Sequence, residues 1–197
     1  MLRIALTGGI ATGKSYVLQC FRERGVPCLD ADALAHGVTT SGTEATAAIV
    51  ERFGGDVLDS TGAVDRHKLA QIVFADPSAR RDLEAIVHPA VYRAIAAGLR
   101  AFELLEHSPL AVADIPLLYE TGHAADFHRV IVTTCARALQ ISRLRDRGLS
   151  ELEAEQRLAA QMSAEEKAAR GDYVIRTDGP FENTSAQVDK ILKILKS

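Results

Sequence analysis

GGIATGKS, residues 8–15, sets Gly8, Gly13, Lys14 and Ser15 at the spacing of a phosphate-binding P-loop, between an apolar run, MLRIALT, and a helix-like one. Glycines at those places let backbone N–H groups turn inward around phosphate oxygens, and the following helix adds its positive N-terminal dipole. Lys14 can then reach the β and γ phosphates, and the Ser15 hydroxyl can ligate Mg²⁺. The chemistry expected is transfer of a phosphoryl group from a nucleoside triphosphate.

What receives that group is narrowed by what is missing. A guanine-specific Asn-Lys-x-Asp motif is excluded, because Asn183 is the only asparagine and no lysine follows it. A water-activating glutamate beside the aspartate that ends the third strand is also missing, since Asp114 runs into Ile115 and Pro116. Transfer to a substrate hydroxyl or phosphate remains. A hydroxyl acceptor needs a base, and Asp30-Ala31-Asp32 offers two carboxylates where the second strand ends. Either could instead cap the helix that begins near Ala33. Asp114 can hold the water shell of the magnesium, or simply cap the Pro116 turn. Arg143 and Arg147, one helical turn apart, and Arg157 with Gln161 on the next helix, suit a lid that closes over a triphosphate.

The bulk properties exclude other classes. A net charge of −3 gives no basic surplus for displacing counterions, so no nucleic-acid partner is expected. No stretch approaches the roughly 20 apolar residues that cross a bilayer. The strand and P-loop begin almost at Met1, leaving no basic and apolar leader, so the cytoplasm is the expected compartment. Cys20, Cys28 and Cys135 lack metal or redox spacing and read as reduced thiols in or near the core. The six histidines show no zinc spacing, and His88, before Pro89, reads by spacing alone as a packing or capping residue.

The elements that must position these groups are five short apolar runs: Leu2–Leu6, Val26–Leu29, Leu110–Ala113, Val130–Thr133 and Tyr173–Ile175. Their continuity predicts a parallel sheet covered on both faces. Helical patterns follow at Lys14–Arg24, Ala136–Arg147, Glu151–Gln161, Ala164–Arg170 and Asn183–Lys196, with Gly25 and Gly148 as stops. About eighty residues between the second and third strands far exceed an ordinary crossover. They read as an inserted helical lobe: Glu44–Phe53, Lys68–Phe74, and Arg80 to Leu105 interrupted at His88-Pro89. A lobe over the carboxyl edge of the sheet is a natural place for a second substrate.

Taken together, LTGGIATGKS (6–15), DADALAH (30–36), VDRHKLAQIVF (64–74), LEAIVHPAV (83–91), VADIPLLYE (112–120), RLAAQ (157–161) and DYVI (172–175) make the chain resemble the dephospho-coenzyme A kinases over nearly its whole length. The resemblance implies a three-layer α/β P-loop fold with a five-stranded parallel sheet, a helical substrate insertion and a helical lid. It implies transfer of the ATP γ phosphate to the ribose 3′-hydroxyl of dephospho-CoA, with Mg²⁺. Under it, residues 1–29, 106–137 and 164–197 form the nucleotide core, 30–105 the CoA lobe and 138–163 the lid. Gly8, Gly9, Ile10, Ala11, Thr12, Gly13, Lys14, Ser15 and Tyr16 would line the phosphate site and Arg143 would contact ATP from the lid. Asp32 would be the base, and His88, Arg66 and Leu117 would sit on the substrate side, with Asp114 near the metal shell. A monomer or weak homo-oligomer is expected.

This chain departs from the family pattern at Ala11 and Thr12, where Gly and Ser are usual, and at Arg176-Thr177, where an acidic residue and asparagine commonly face the adenine. Ala11 must therefore accept the backbone geometry of the loop. Two rivals stand beside this reading: another small-metabolite or nucleotide kinase of the same fold, and a non-catalytic nucleotide-binding module.

Overall fold

The computed structural model describes residues 1–196 and resolves into two compact units: Met1–Leu29 with the chain from Ala101 onward, and Asp30–Arg100. The first unit is built on a five-stranded sheet: β1 (Leu2–Gly8), β2 (Cys28–Asp30), β3 (Leu110–Asp114), β4 (Arg129–Thr134) and β5 (Tyr173–Arg176). The order is β2-β3-β1-β4-β5, and β1 pairs in parallel with β3 and with β4, as β4 does with β5. Each of the five runs read from the sequence holds a strand, the second only from Cys28, two residues later than read. The three central ones are buried almost throughout, which is why they carry no polar alternation. The edge strand β5 is half open, with Val174 exposed.

β1 has β3 on one side and β4 on the other, so successive connections leave it in opposite directions. The crevice outside the carboxyl end of β1 is the topological switch point of the sheet, where open α/β sheets bind ligands. α1 (Lys14–Glu23) starts there. It packs Val17, Leu18 and Phe21 against Ile4, Leu6, Val112 and Ile131, and α9 (Phe181–Lys196) adds Val188, Ile191 and Leu192 to the same core. Gly25, at φ +72°, ends α1 as expected.

Within the second unit, α2 (Ala31–Val38), α3 (Glu44–Phe53) and α4 (Arg66–Ala75) precede α5 (Pro77–Leu105). Its core gathers Ile49, Val57, Val64 and Leu69, with Phe53, Leu83, Ile86 and Val87 around them. Thr43 caps α3 and Asp65 caps α4 through their side chains, which is why α4 begins two residues before the apolar pattern does.

One expectation is corrected: α5 is a continuous helix of 29 residues and Pro89 lies inside it, so the break read at His88-Pro89 does not occur. Proline costs an interior helix about 3 kcal/mol by removing one hydrogen bond and crowding the preceding turn. Here Pro89 and Ala85 are both exposed, so water can serve the freed carbonyl, while Ala90, Val91, Ile95 and Leu99 are buried along the helix.

The remaining helices of the first unit are α6 (Arg137–Asp146), α7 (Glu151–Ala159) and α8 (Ala164–Ala168). Gly148, at φ +90°, closes α6, and capping boxes at Ser150 with Glu153 and Ser163 with Glu166 open the next two. The three cysteines are free; Cys20 and Cys135 are buried, and burial pushes the Cys28 thiol up to about 11. Burial raises the Cys135 thiol as well, so Cys28 and Cys135 are poor nucleophiles near neutral pH.

Candidate active site

The P-loop spans the turn from β1 into α1, and Gly13 at φ +80° is the N-cap of that helix. First-turn amides of a helix have no acceptor within it, so they are available to an anion. Gly13 cannot readily be replaced: its φ disfavours a side chain, and a Cβ there would meet the Thr177 side chain at 3.2 Å. Ala11 stands at φ +59°, so the one non-glycine in the left-handed part of the loop is the residue expected to bear that geometry.

The loop is tied from several sides. Thr12 Oγ1 lies 2.7 Å from both the Gly9 carbonyl and Thr133 Oγ1, and Thr177 Oγ1 donates to the Thr12 carbonyl at 2.8 Å. Gln140 donates through Nε2 to the Ile10 carbonyl at 2.6 Å. Arg143 donates to the Ala11 carbonyl at 3.0 Å, to Thr177 Oγ1 at 3.2 Å and to the Thr177 carbonyl at 2.8 Å. Below these bonds, Ile10 and Ala11 pack with Ile141, Leu144, Ala154 and Leu158, so the crown of the loop belongs to the apolar core of α6 and α7.

Lys14 Nζ donates to Asp114 Oδ1 at 2.5 Å, and both side chains are largely withdrawn from water. Asp114 ends β3 opposite Leu6 of β1, so the sheet register sets this pair. Ser15 is exposed in the first turn of α1. A hydroxyl and a carboxylate at this crevice are hard oxygen donors, a set that suits Mg²⁺ completed by water and phosphate oxygens. Tyr16 packs its ring at a tilt of 49° against Phe181, with 4.5 Å between centroids, and donates to the Phe181 carbonyl.

In the second unit the hydrogen bonds show which of the two carboxylates caps α2. Asp30 is the N-cap of α2, its Oδ1 accepting the amides of Asp32 and Ala33 at 2.9 and 3.2 Å. Asp32 is exposed in the first turn and gives that cap only its backbone amide. Arg66 and His88 line one cavity of about 350 Å³, whose walls include Ile49, Leu69, Val73 and Val87, and Arg66 also bonds the His36 ring. Leu117, in the first unit, is half-buried in the turn after β3, and its carbonyl takes the Thr121 amide and hydroxyl.

Two sets of interactions escaped the sequence reading. Thr177, buried beside Gly13, anchors both the P-loop and Arg143; the unusual Arg176-Thr177 pair was visible, but a bond to a backbone carbonyl leaves no pattern. Glu120 accepts the Lys167 ammonium, and no spacing rule links these two positions. Arg157 is exposed on α7, and Gln161 falls beyond the end of that helix.

The dephospho-CoA kinase family model matches residues 2–183 of this chain. Dephospho-CoA kinase of Anaeromyxobacter dehalogenans (strain 2CP-C) is 47% identical over 194 residues, covering 98% of this chain and 92% of that protein. Dephospho-CoA kinase of Cutibacterium acnes (strain DSM 16379 / KPA171202) is 43% identical, covering 97% and 83%. Among solved structures, a protein of Thermus thermophilus superposes with a TM-score of 0.82 at 34% identity, over 100% of this chain and 98% of that one. Dephospho-CoA kinase from Campylobacter jejuni does so with a TM-score of 0.73 at 27% identity, over 98% and 97%.

Proposed function

The chain belongs to the dephospho-CoA kinase family, and from that premise we propose how its residues carry out the ATP-dependent phosphorylation of dephospho-CoA at the ribose 3′-hydroxyl. The observation that carries the reading is the Lys14–Asp114 pair set by the β1–β3 register beside the P-loop turn.

The P-loop amides and Lys14 hold the β and γ phosphates of ATP and neutralise charge as the γ phosphoryl group departs. When bound, Mg²⁺ would supply charge neutralisation at the phosphates; Ser15 would ligate it and Asp114 would hold its water shell. Asp32 accepts the proton of the 3′-hydroxyl. Its transition state is loose, so the proton leaves late and an ordinary carboxylate suffices. That Asp30 is already spent on the α2 cap supports giving this role to Asp32.

The unit Asp30–Arg100 is assigned to the CoA substrate, with the cavity that Arg66 and His88 line as a place for part of it, and Leu117 is assigned to the substrate side. α6 and α7 are assigned to the lid. No helix among the described residues is long and apolar enough to cross a membrane, and three free thiols fit a reducing compartment; the cytoplasm is the proposed location.

Arg143 is proposed to present its charge to ATP while bracing the loop through Ala11 and Thr177. Arg143→Ala should raise KM for ATP about tenfold, and KM for dephospho-CoA should move much less. An unchanged KM for ATP would remove Arg143 from the nucleotide site.

The function itself is tested by mass detection of products from Mg-ATP with dephospho-CoA, beside AMP, CMP, shikimate and adenosine as acceptors. CoA and ADP in equal amounts from the first tube alone are expected. Turnover of another acceptor in its place would favour a kinase of different specificity, and ATP binding without any product would favour a binding module.

A further inference from the structure

Lys167 on α8 is completely buried, a costly place for an ammonium, and the phosphoryl-transfer chemistry described above does not use it. Its Nζ donates to Glu120 Oε1 at 2.8 Å and to the Pro116 carbonyl at 2.7 Å. The same carbonyl accepts Thr7 Oγ1 from β1 at 3.2 Å. Pro116 lies two residues after Asp114, whose carboxylate holds Lys14. Glu120 Oε1 also accepts the Met162 amide at 3.1 Å, just past the end of α7 and before the capping box that opens α8.

One ammonium and one carboxylate thus join the turn that follows Asp114 to the segment by which the chain leaves the lid, and the shared Pro116 carbonyl links both to Thr7 at the carboxyl end of β1. A buried ion pair is a poor device for stability alone, since apolar residues of similar volume commonly serve as well or better. Burial pushes the Lys167 ammonium below the ordinary lysine range while Glu120 holds it up, and Lys14 is close enough to oppose it.

We propose that Lys167 is a positioning residue for phosphoryl transfer, fixing the Asp114–Pro116 turn that aims the Asp114 carboxylate at Lys14 and, through Glu120, tying that turn to the end of the lid. This rests on the kinase reading, which wild-type turnover in the same assay checks separately. The role differs from binding: it sets the geometry in which Lys14 and Asp114 meet the reacting phosphate, and small misplacement there costs rate more than affinity.

The test compares kcat, both KM values and the melting temperature of the full chain with those of Lys167→Met, Glu120→Gln and the double variant. Lys167→Met should lose about 30-fold in kcat, with each KM within about threefold of wild type. The double variant should melt near wild type, because no buried charge is left unpaired, and should lose no more kcat than Lys167→Met alone. If Lys167→Met does not fold, the double variant decides. A folded double variant with kcat within about threefold of wild type would overturn the proposal. So would an unchanged kcat with a raised KM for ATP, which would make Lys167 a phosphate-binding group.

Discussion

Turnover of dephospho-CoA by Asp32→Asn is expected to fall about 10³-fold, with ATP affinity within about threefold of wild type. Asparagine keeps the size of the side chain and most of its hydrogen bonding but cannot take the hydroxyl proton. The helix should be undisturbed, because the cap of α2 is Asp30 and Asp32 contributes only its amide to it. Steady-state kinetics with both substrates, together with a calorimetric ATP titration, would check the split. Asp30→Asn is the matched control: asparagine caps as well as aspartate, so its kcat should stay near wild type. If the two variants exchanged their effects, the base would be Asp30.

Lys14→Ala is expected to lose about 10³-fold or more in kcat/KM for ATP, spread over both binding and chemistry. The ammonium meets charge in the ground state and more of it in the transition state, so neither constant alone should carry the loss. A second consequence concerns the empty protein. Asp114 is 5% exposed and would lose its cation, and breaking such a pair by removing one partner costs about 3 kcal/mol. Asp114→Asn added to Lys14→Ala should restore much of the melting temperature and none of the activity. Full activity in Lys14→Ala would refute the P-loop assignment.

The sheet was legible because its central strands are buried on both faces, so their apolar runs are uninterrupted from Ile4 to Leu6 and across Ala111 to Ala113. Turn chemistry was legible at Gly25 and Gly148, where a positive φ demands glycine. Pro89 misled because proline speaks of local cost while the burial along α5 that outweighs it is tertiary. At the candidate site, the phosphate loop could be read directly since its chemistry is written in consecutive residues. That Asp30 is the cap of α2 could not be read, because it depends on which amides its carboxylate faces. Arg143 could be placed on the correct helix, but its partners are the carbonyls of Ala11 and Thr177, and every residue type carries a carbonyl.

Ile10 and Ala11 have a consequence beyond phosphate binding. They are the floor on which Ile141, Leu144, Ala154 and Leu158 rest, and the polar bonds from Gln140 and Arg143 end on their carbonyls. α6 and α7 therefore cannot detach from the loop without exposing its apolar side to water and releasing two of its carbonyls at once. Loop, α6 and α7 thus open together or not at all, so a ligand that grips the loop is expected to protect the whole of both helices from transient opening, α7 included, which lends it no side chain.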